Sequence, residues 1–237
     1  VQFAGISATT DDDGVHCSAG HYAASLVPIP EPERMADALP HPRALSALAA
    51  KLLWVGRCGR PDVLTNATQL ANLTAPTGAD ARHANDTLAL LTNRPLSLHY
   101  PKLNRASLRL AVHADYSGSA LPNADKRQVG YMAALKDDTN RFALLNWASH
   151  KPSRVCRGST AGELLALADG YAADLDVRQL LQELLDQRIP VETYTDSATA
   201  YDLITSFKDP ADLTGKNDLF TLRCALLDGS MAAIHHV

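Results

Sequence analysis

Hydrophobic and polar positions change their period twice along the chain. The first stretch holds short apolar segments around turn chemistry. Val1-Gln2-Phe3-Ala4-Gly5-Ile6 predicts a strand. Asp11-Asp12-Asp13-Gly14 predicts a turn, with Asp-Gly its strongest part, and a second, weaker strand after it. Pro28, Pro30 and Pro32 mark a linker. The period then becomes helical. Ala44, Leu45, Leu48, Ala49, Leu52 and Leu53 follow the i, i+3, i+4 spacing of a buried face. Gly56 and Gly59 end that helix and Pro61 opens the next. Two more helices are predicted over 62–73 and 79–93, closed by Arg94-Pro95.

From residue 106 onward, strand and helix alternate. Leu108, Leu110, Val112 and Ala114 interleave with Arg109, Ala111, His113 and Asp115, a period of two. Further strands are predicted over 130–135 and 142–147, joined by the turn Asp137-Asp138-Thr139-Asn140. A long helical pattern spans 160–187, with a possible break near Asp174. A strand over 191–195, a helix over 197–206, a helix over 218–227 and a strand over 232–237 complete the pattern. Three strands followed by alternating helices and strands predict an α/β domain with a mixed five-stranded sheet and helices on its faces. Three regions are therefore expected: a short β segment over 1–30, a helical connector over 35–100, and an α/β domain over 106–237.

Composition removes several classes. The chain has 237 residues, 46% hydrophobic and 20% charged, an ordinary globular balance. A net charge of −4 excludes a protein that coats nucleic acid by bulk charge, while leaving room for a local basic track. Cys17, Cys58, Cys156 and Cys224 fit no zinc spacing, and free thiols in a reducing compartment are expected. No apolar stretch approaches the ~20 residues of a membrane helix. No charged-then-apolar leader is visible, so an intracellular location is expected. Asn66-Ala67-Thr68, Asn72-Leu73-Thr74 and Asn85-Asp86-Thr87 are glycosylation patterns, read as chance without a leader.

Four carboxylates stand where such a domain gathers its chemistry. Asp115 ends the first strand after residue 106, and Asp196 ends the strand 191–195. Glu163 lies in the first turns of the long helix, and Asp218 at the start of the helix 218–227. Sites in open α/β sheets form at the carboxyl ends of strands. Converging carboxylates suit hard cations such as Mg²⁺ or Mn²⁺, and two such ions about 4 Å apart can drive phosphodiester cleavage. Each acid also has a structural role open to it. Thr160-Ala161-Gly162-Glu163 has the pattern of a capping box. Asp196-Ser197 is a candidate N-cap for the helix that follows. Asp218 suits a helix N-terminus through the dipole. Asp115, before Tyr116-Ser117-Gly118-Ser119, suits a turn.

The order Asp, Glu, Asp, Asp on strand, helix, strand and helix is more specific than any one acid. Val112-His113-Ala114-Asp115-Tyr116-Ser117, Ala161-Gly162-Glu163-Leu164-Leu165-Ala166-Leu167-Ala168-Asp169, Tyr194-Thr195-Asp196-Ser197 and Asp218-Leu219-Phe220-Thr221-Leu222-Arg223 carry it. Together, over 106–237, they resemble the ribonuclease H domain of copia-type LTR retrotransposon polyproteins. Trp147-Ala148-Ser149-His150-Lys151-Pro152-Ser153-Arg154-Val155 is similar to the stretch before the glutamate helix there. Upstream, Leu52-Leu53-Trp54-Val55-Gly56 with Arg60-Pro61-Asp62-Val63 resembles the segment between polymerase and ribonuclease H. Phe3-Ala4-Gly5-Ile6 resembles the end of the reverse transcriptase palm.

The resemblance implies a ribonuclease H-like fold that cleaves the RNA strand of RNA–DNA hybrids, with Asp115, Glu163, Asp196 and Asp218 binding two Mg²⁺ ions (Mn²⁺ as a substitute). It implies as partners the hybrid and an upstream reverse transcriptase portion or a larger assembly. The polymerase's paired aspartates are absent, so this chain is not expected to polymerise. Affinity for a hybrid needs local positive charge. Two clusters qualify: Lys102, Arg105 and Arg109, and Lys151, Arg154 and Arg157, the second leading directly to Glu163. His113 shares its strand face with Asp115. His235 and His236 are read as an exposed strand end.

Some positions depart from the pattern. Gly118-Ser119-Ala120 stand where an aromatic or acid is common. The stretch Leu213-Thr214-Gly215-Lys216-Asn217 is short, which bears on the fourth acid. A domesticated, catalytically silent structural subunit of a larger complex is the alternative reading.

Overall fold

The computed structural model describes residues 1–117, 127–209 and 213–237. The Gly118-Ser119-Ala120 departure lies outside them. The chain divides into two compact units, Val1–Tyr100 and Pro101–Val237.

In the first unit, β1 (Gln2–Phe3), β2 (Ile6–Thr10), β3 (Gly14–Ser18) and β4 (Leu98–Pro101) form a small sheet in that order. The strand expected over Val1–Ile6 is instead a hairpin. Ala4 and Gly5 both take positive φ, +47° and +80°, which turns the chain back between Phe3 and Ile6. That pair of conformations fits the right-handed twist of a two-residue hairpin, and Gly5 adopts it without steric penalty. The second turn forms where expected, with the Asp11 carboxylate accepting from the N–H groups of Asp13 and Gly14.

The helices of this unit are α1 (Gly20–Ala24), α2 (Pro42–Cys58), α3 (Leu64–Ala71) and α4 (Gly78–Asn93). Leu45, Leu48, Leu52 and Val55 of α2 share one core with Ala19, Ala23 and Leu26, so the residues of the first two expected regions pack together. Neither α1 nor β4 has a periodic signal, because each is at most five residues long.

The second unit is built on β5 (Arg109–Ser117), β6 (Gln128–Lys136), β7 (Phe142–His150), β8 (Val191–Thr195) and β9 (Ala233–His236). Their order is β7-β6-β5-β8-β9. β6 runs antiparallel to both β5 and β7, with a register shift at Ala133/Ala134. β8 is parallel to β5, and β9 to β8. Three consecutive antiparallel strands, then two added in parallel, make the mixed five-stranded α/β sheet that the pattern predicts.

Its helices are α5 (Ser159–Leu185), α6 (Ala198–Ser206) and α7 (Lys216–Leu227). Leu110, Val112, Ala114 and Tyr116 of β5 meet Leu164, Leu167 and Tyr171 of α5 in one core with Leu219 and Leu222 of α7. The long helix does not break at Asp174. Asn146 donates to the Asp174 carboxylate at 2.8 Å, so the buried acid has a partner within the helix's packing face. Among the described residues, no helix is long and apolar enough to cross a membrane.

Candidate metal centre

Side-chain alternation along β5 sends Leu110, Val112, Ala114 and Tyr116 into the core. Asp115 lies between two of these and is exposed. It is the seventh residue of a nine-residue strand, so it is held by the ladder and is not a turn residue. Opposite it in the register stands Gly130, which leaves the space beside Asp115 free of a side chain.

Glu163 reaches the strand end because α5 lies close to β5. A Cβ on Gly162 would sit 2.2 Å from the Tyr116 ring, and one on Gly170 would sit 3.0 Å from Tyr131 and 3.2 Å from Val112. Gly162, Ala166 and Gly170 are four residues apart, so they lie along one face of the helix. Small residues there bring the helix axis toward the sheet. The capping-box reading of Glu163 does not hold. The N-cap of α5 is Gly158 and makes no side-chain cap bond, which places Thr160 inside the first turn. The reciprocal box occurs elsewhere, where Thr77 and Asp80 open α4.

Asp196 follows β8, and the capping role there falls to its neighbour. Ser197 is the N-cap of α6, and its side chain accepts from Ala200 N–H. Asp196 is thereby left facing the site, with its carbonyl near His236 Nε2 at 3.2 Å. His236, read as an exposed strand end, thus touches the backbone of a site residue.

One ligand oxygen from each of Asp115, Glu163 and Asp196 lies within 4.8 Å of the others. Asp218 is not in this group. It sits in the first turn of α7, almost fully buried, with the Arg154 guanidinium against its carboxylate. Three of the four expected acids therefore gather, and the fourth is met by an arginine.

The electrostatics of the trio point to a cation. The Glu163 carboxyl is pushed up to about 7, first by burial and then by the charges of Asp115 and Asp196, against the lowering effect of the Tyr116 backbone N–H that donates to it. Its Oε2 is buried with no hydrogen-bond partner. A buried carboxylate oxygen with two acids beside it and no donor is unfavourable unless a positive charge is present. All-oxygen donors fit a hard divalent ion.

The basic clusters separate. Lys151 and Arg157 are exposed in the loop that enters α5. Cys156 anchors that loop, being buried and accepting through its carbonyl from Arg127 Nη1 at 2.9 Å. Arg105 lies elsewhere. Its guanidinium contacts the Leu185 carbonyl and Gln187 Oε1, at the C-terminal end of α5. Leu185 is 22 residues past Glu163, roughly 33 Å along the helix. Arg109 faces Glu192 at 3.4 Å, at the opposite end of β5 from Asp115. Lys102, three residues before Arg105, belongs to the same end. This cluster and the acidic trio are thus not brought together.

Gly162 and Gly170 carry one signal in the sequence, an eight-residue glycine spacing on a long apolar helix. Arg127 carries none.

No protein-family model matches the chain, and neither does any curated protein. Solved structures with similarity include the RNase H1 of the halophilic archaeon Halobacterium salinarum, at TM-score 0.40 and 16% identity over 54% of this chain and 85% of that one. The N-terminal RNase H domain of Rv2228c from Mycobacterium tuberculosis gives 0.38 and 14% over 55% and 81%. The PFV RNase H domain gives 0.38 and 14% over 55% and 79%.

Proposed function

We propose that the second unit is a divalent-metal-dependent nuclease of ribonuclease H type that cuts the RNA strand of RNA–DNA hybrids. The observation that carries this reading is the convergence of Asp115, Glu163 and Asp196 around the partnerless buried oxygen of Glu163. The hybrid as substrate rests on the resemblance of the four acid-bearing stretches to copia-type polyproteins.

Each residue has a task in this reading. Asp115, Glu163 and Asp196 hold Mg²⁺, with Asp218 completing a two-ion set. Ions held there would supply Lewis acidity to the scissile phosphodiester and neutralise its developing charge. The Tyr116 N–H fixes the Glu163 carboxylate, so that one of its oxygens stays turned to the trio. Lys151 and Arg157, on the loop anchored by Cys156, take the phosphate backbone and set its register. An upstream reverse transcriptase portion is the natural partner in this reading.

The direct test is cleavage of an end-labelled hybrid by the full chain with Mg²⁺, with Asp196→Asn as control. Expected are cuts in the RNA strand alone, lost in the variant. A well-folded chain that leaves the hybrid intact, or a variant that cuts equally, refutes the reading. One observation favours the alternative of a silent structural subunit: Asp218 is paired with Arg154. A melting temperature unmoved by millimolar Mg²⁺ and Mn²⁺ would select that alternative.

A further inference from the structure

The buried Asp218 carboxylate needs a positive charge, and Arg154 supplies it. Asp218 Oδ2 is enclosed, and the charged group set against it is the Arg154 guanidinium. Burial raises the Asp169 carboxyl, and the charges of His150 and then of the Arg154 guanidinium act against it. Arg154 thus acts on two carboxylates, one of them the fourth acid of the two-ion set proposed above. Its loop is not a loose tether. Two residues on, Cys156 is 3% exposed and pinned by Arg127. The side chain itself is 38% exposed, against 11% for Asp218, so its solvent side is open to an arriving ligand.

We propose that Arg154 is an internal counter-ion that keeps Asp218 out of the metal group until a nucleic-acid phosphate withdraws it. The inference rests on the two-ion reading above. Guanidinium forms planar, paired hydrogen bonds with carboxylate and with phosphate alike, so the same group can pass from one to the other. In the resting chain, Asp115, Glu163 and Asp196 take a single ion. When the hybrid backbone enters beside the loop 151–158, a phosphate offers Arg154 a second partner. Asp218 is then left buried and uncompensated, which favours capture of the second ion. Arg154 is a positioning residue in this scheme. It acts on the metal set through Asp218 and makes the site complete only when substrate is present.

The experiment counts Mn²⁺ ions bound by the full chain without nucleic acid, by titration calorimetry and by the spin-resonance signal of the free ion. Wild type is expected to bind one ion. Arg154→Gln removes the charge and is expected to bind two, while Arg154→Lys, which keeps it, is expected to stay at one. Arg154→Gln combined with Asp218→Asn is expected to return to one. Far-UV circular dichroism checks that each variant is folded, and Arg154→Ala provides a second neutral variant if the first is not. Two ions in wild type, or one in both folded neutral variants, overturn this inference and leave the nuclease reading standing. No bound ion in wild type and in the neutral variants overturns both.

Discussion

Gly162 lies against Tyr116 so closely that a Cβ on the glycine would fall 2.2 Å from the tyrosine ring. The next residue along the helix is Glu163, and the residue before the tyrosine is Asp115. The packing contact and the carboxylate pair are the same joint. Gly162→Ala is therefore expected to destabilise the chain by about 1–3 kcal/mol, as overpacking does. Shortening the partner with Tyr116→Ala should recover part of that loss. Thermal melts of the two single variants and the double variant check the coupling, and additive losses would show that the two residues do not share a constraint.

The Glu163 carboxyl, raised to about 7 from an ordinary 4.5, fixes the sign of a pH effect. A raised carboxylate binds protons more readily folded than unfolded. Metal-free protein is thus expected to lose stability as pH rises from about 4.5 through 7, with no further loss above. Glu163→Gln should flatten that slope. Mg²⁺ acts in the opposite sense because it needs the ionised form, so its stabilisation should be larger at pH 8 than at pH 6. Melting curves at both pH values, with and without Mg²⁺, measure this. An ion effect equal at the two would mean that Glu163 takes no part in binding.

Asp174 allows the same reasoning away from the metal group. Burial raises it to about 6 against the lowering hydrogen bond from Asn146, and its Oδ2 has no partner. Its ionisation therefore opposes folding above pH 6, and the penalty fades toward pH 4. Asp174→Asn is expected to raise stability at pH 7.5, by on the order of 2 kcal/mol, and to do nothing at pH 4. A loss at both pH values would show that the second oxygen has a role in packing.

The position of the capping box gives a paired prediction in two helices. Thr77 and Asp80 cap α4 reciprocally, with the Asp80 carboxylate accepting from Thr77 N–H at 2.8 Å. Thr77→Ala should cost about 1 kcal/mol. Thr160→Ala, in a stretch with the same pattern, should cost far less because Gly158 occupies the cap position. Denaturant midpoints of the two variants decide between them, and equal losses would return Thr160 to a capping role.

Long periodic segments were legible in the sequence, and short ones were not. The alternation through Leu108–Asp115 and the pattern of 160–187 locate β5 and α5 because many residues repeat one period. Val1–Ile6 misleads because a two-residue turn interrupts an apolar run, and only the backbone angles of Ala4 and Gly5 reveal it. The acids could be named from order and placement. Their grouping could not, since whether Asp218 joins the trio depends on where a loop arginine comes to rest, and that has no periodicity. Charge counting likewise offered Lys102, Arg105 and Arg109 as a phosphate track without fixing their distance from the acids. They lie a helix length away, because proximity in sequence to β5 is proximity to its beginning, while Asp115 stands near its end.

The glycines of α5 also set how misalignment is shared along the helix. Gly162 and Gly170 touch the sheet at two points about 12 Å apart. Treated as a rigid rod pivoting at Gly162, the helix has a very short arm to Glu163 and a long one to Leu185. A tilt of one degree would move the glutamate's backbone by less than about 0.05 Å and the far end by roughly 0.6 Å. Repacking at the C-terminal end, where Arg105 and Gln187 sit, would therefore reach the carboxylates strongly attenuated. A substitution at the far end of α5 is therefore expected to disturb the carboxylates less than one at the fulcrum.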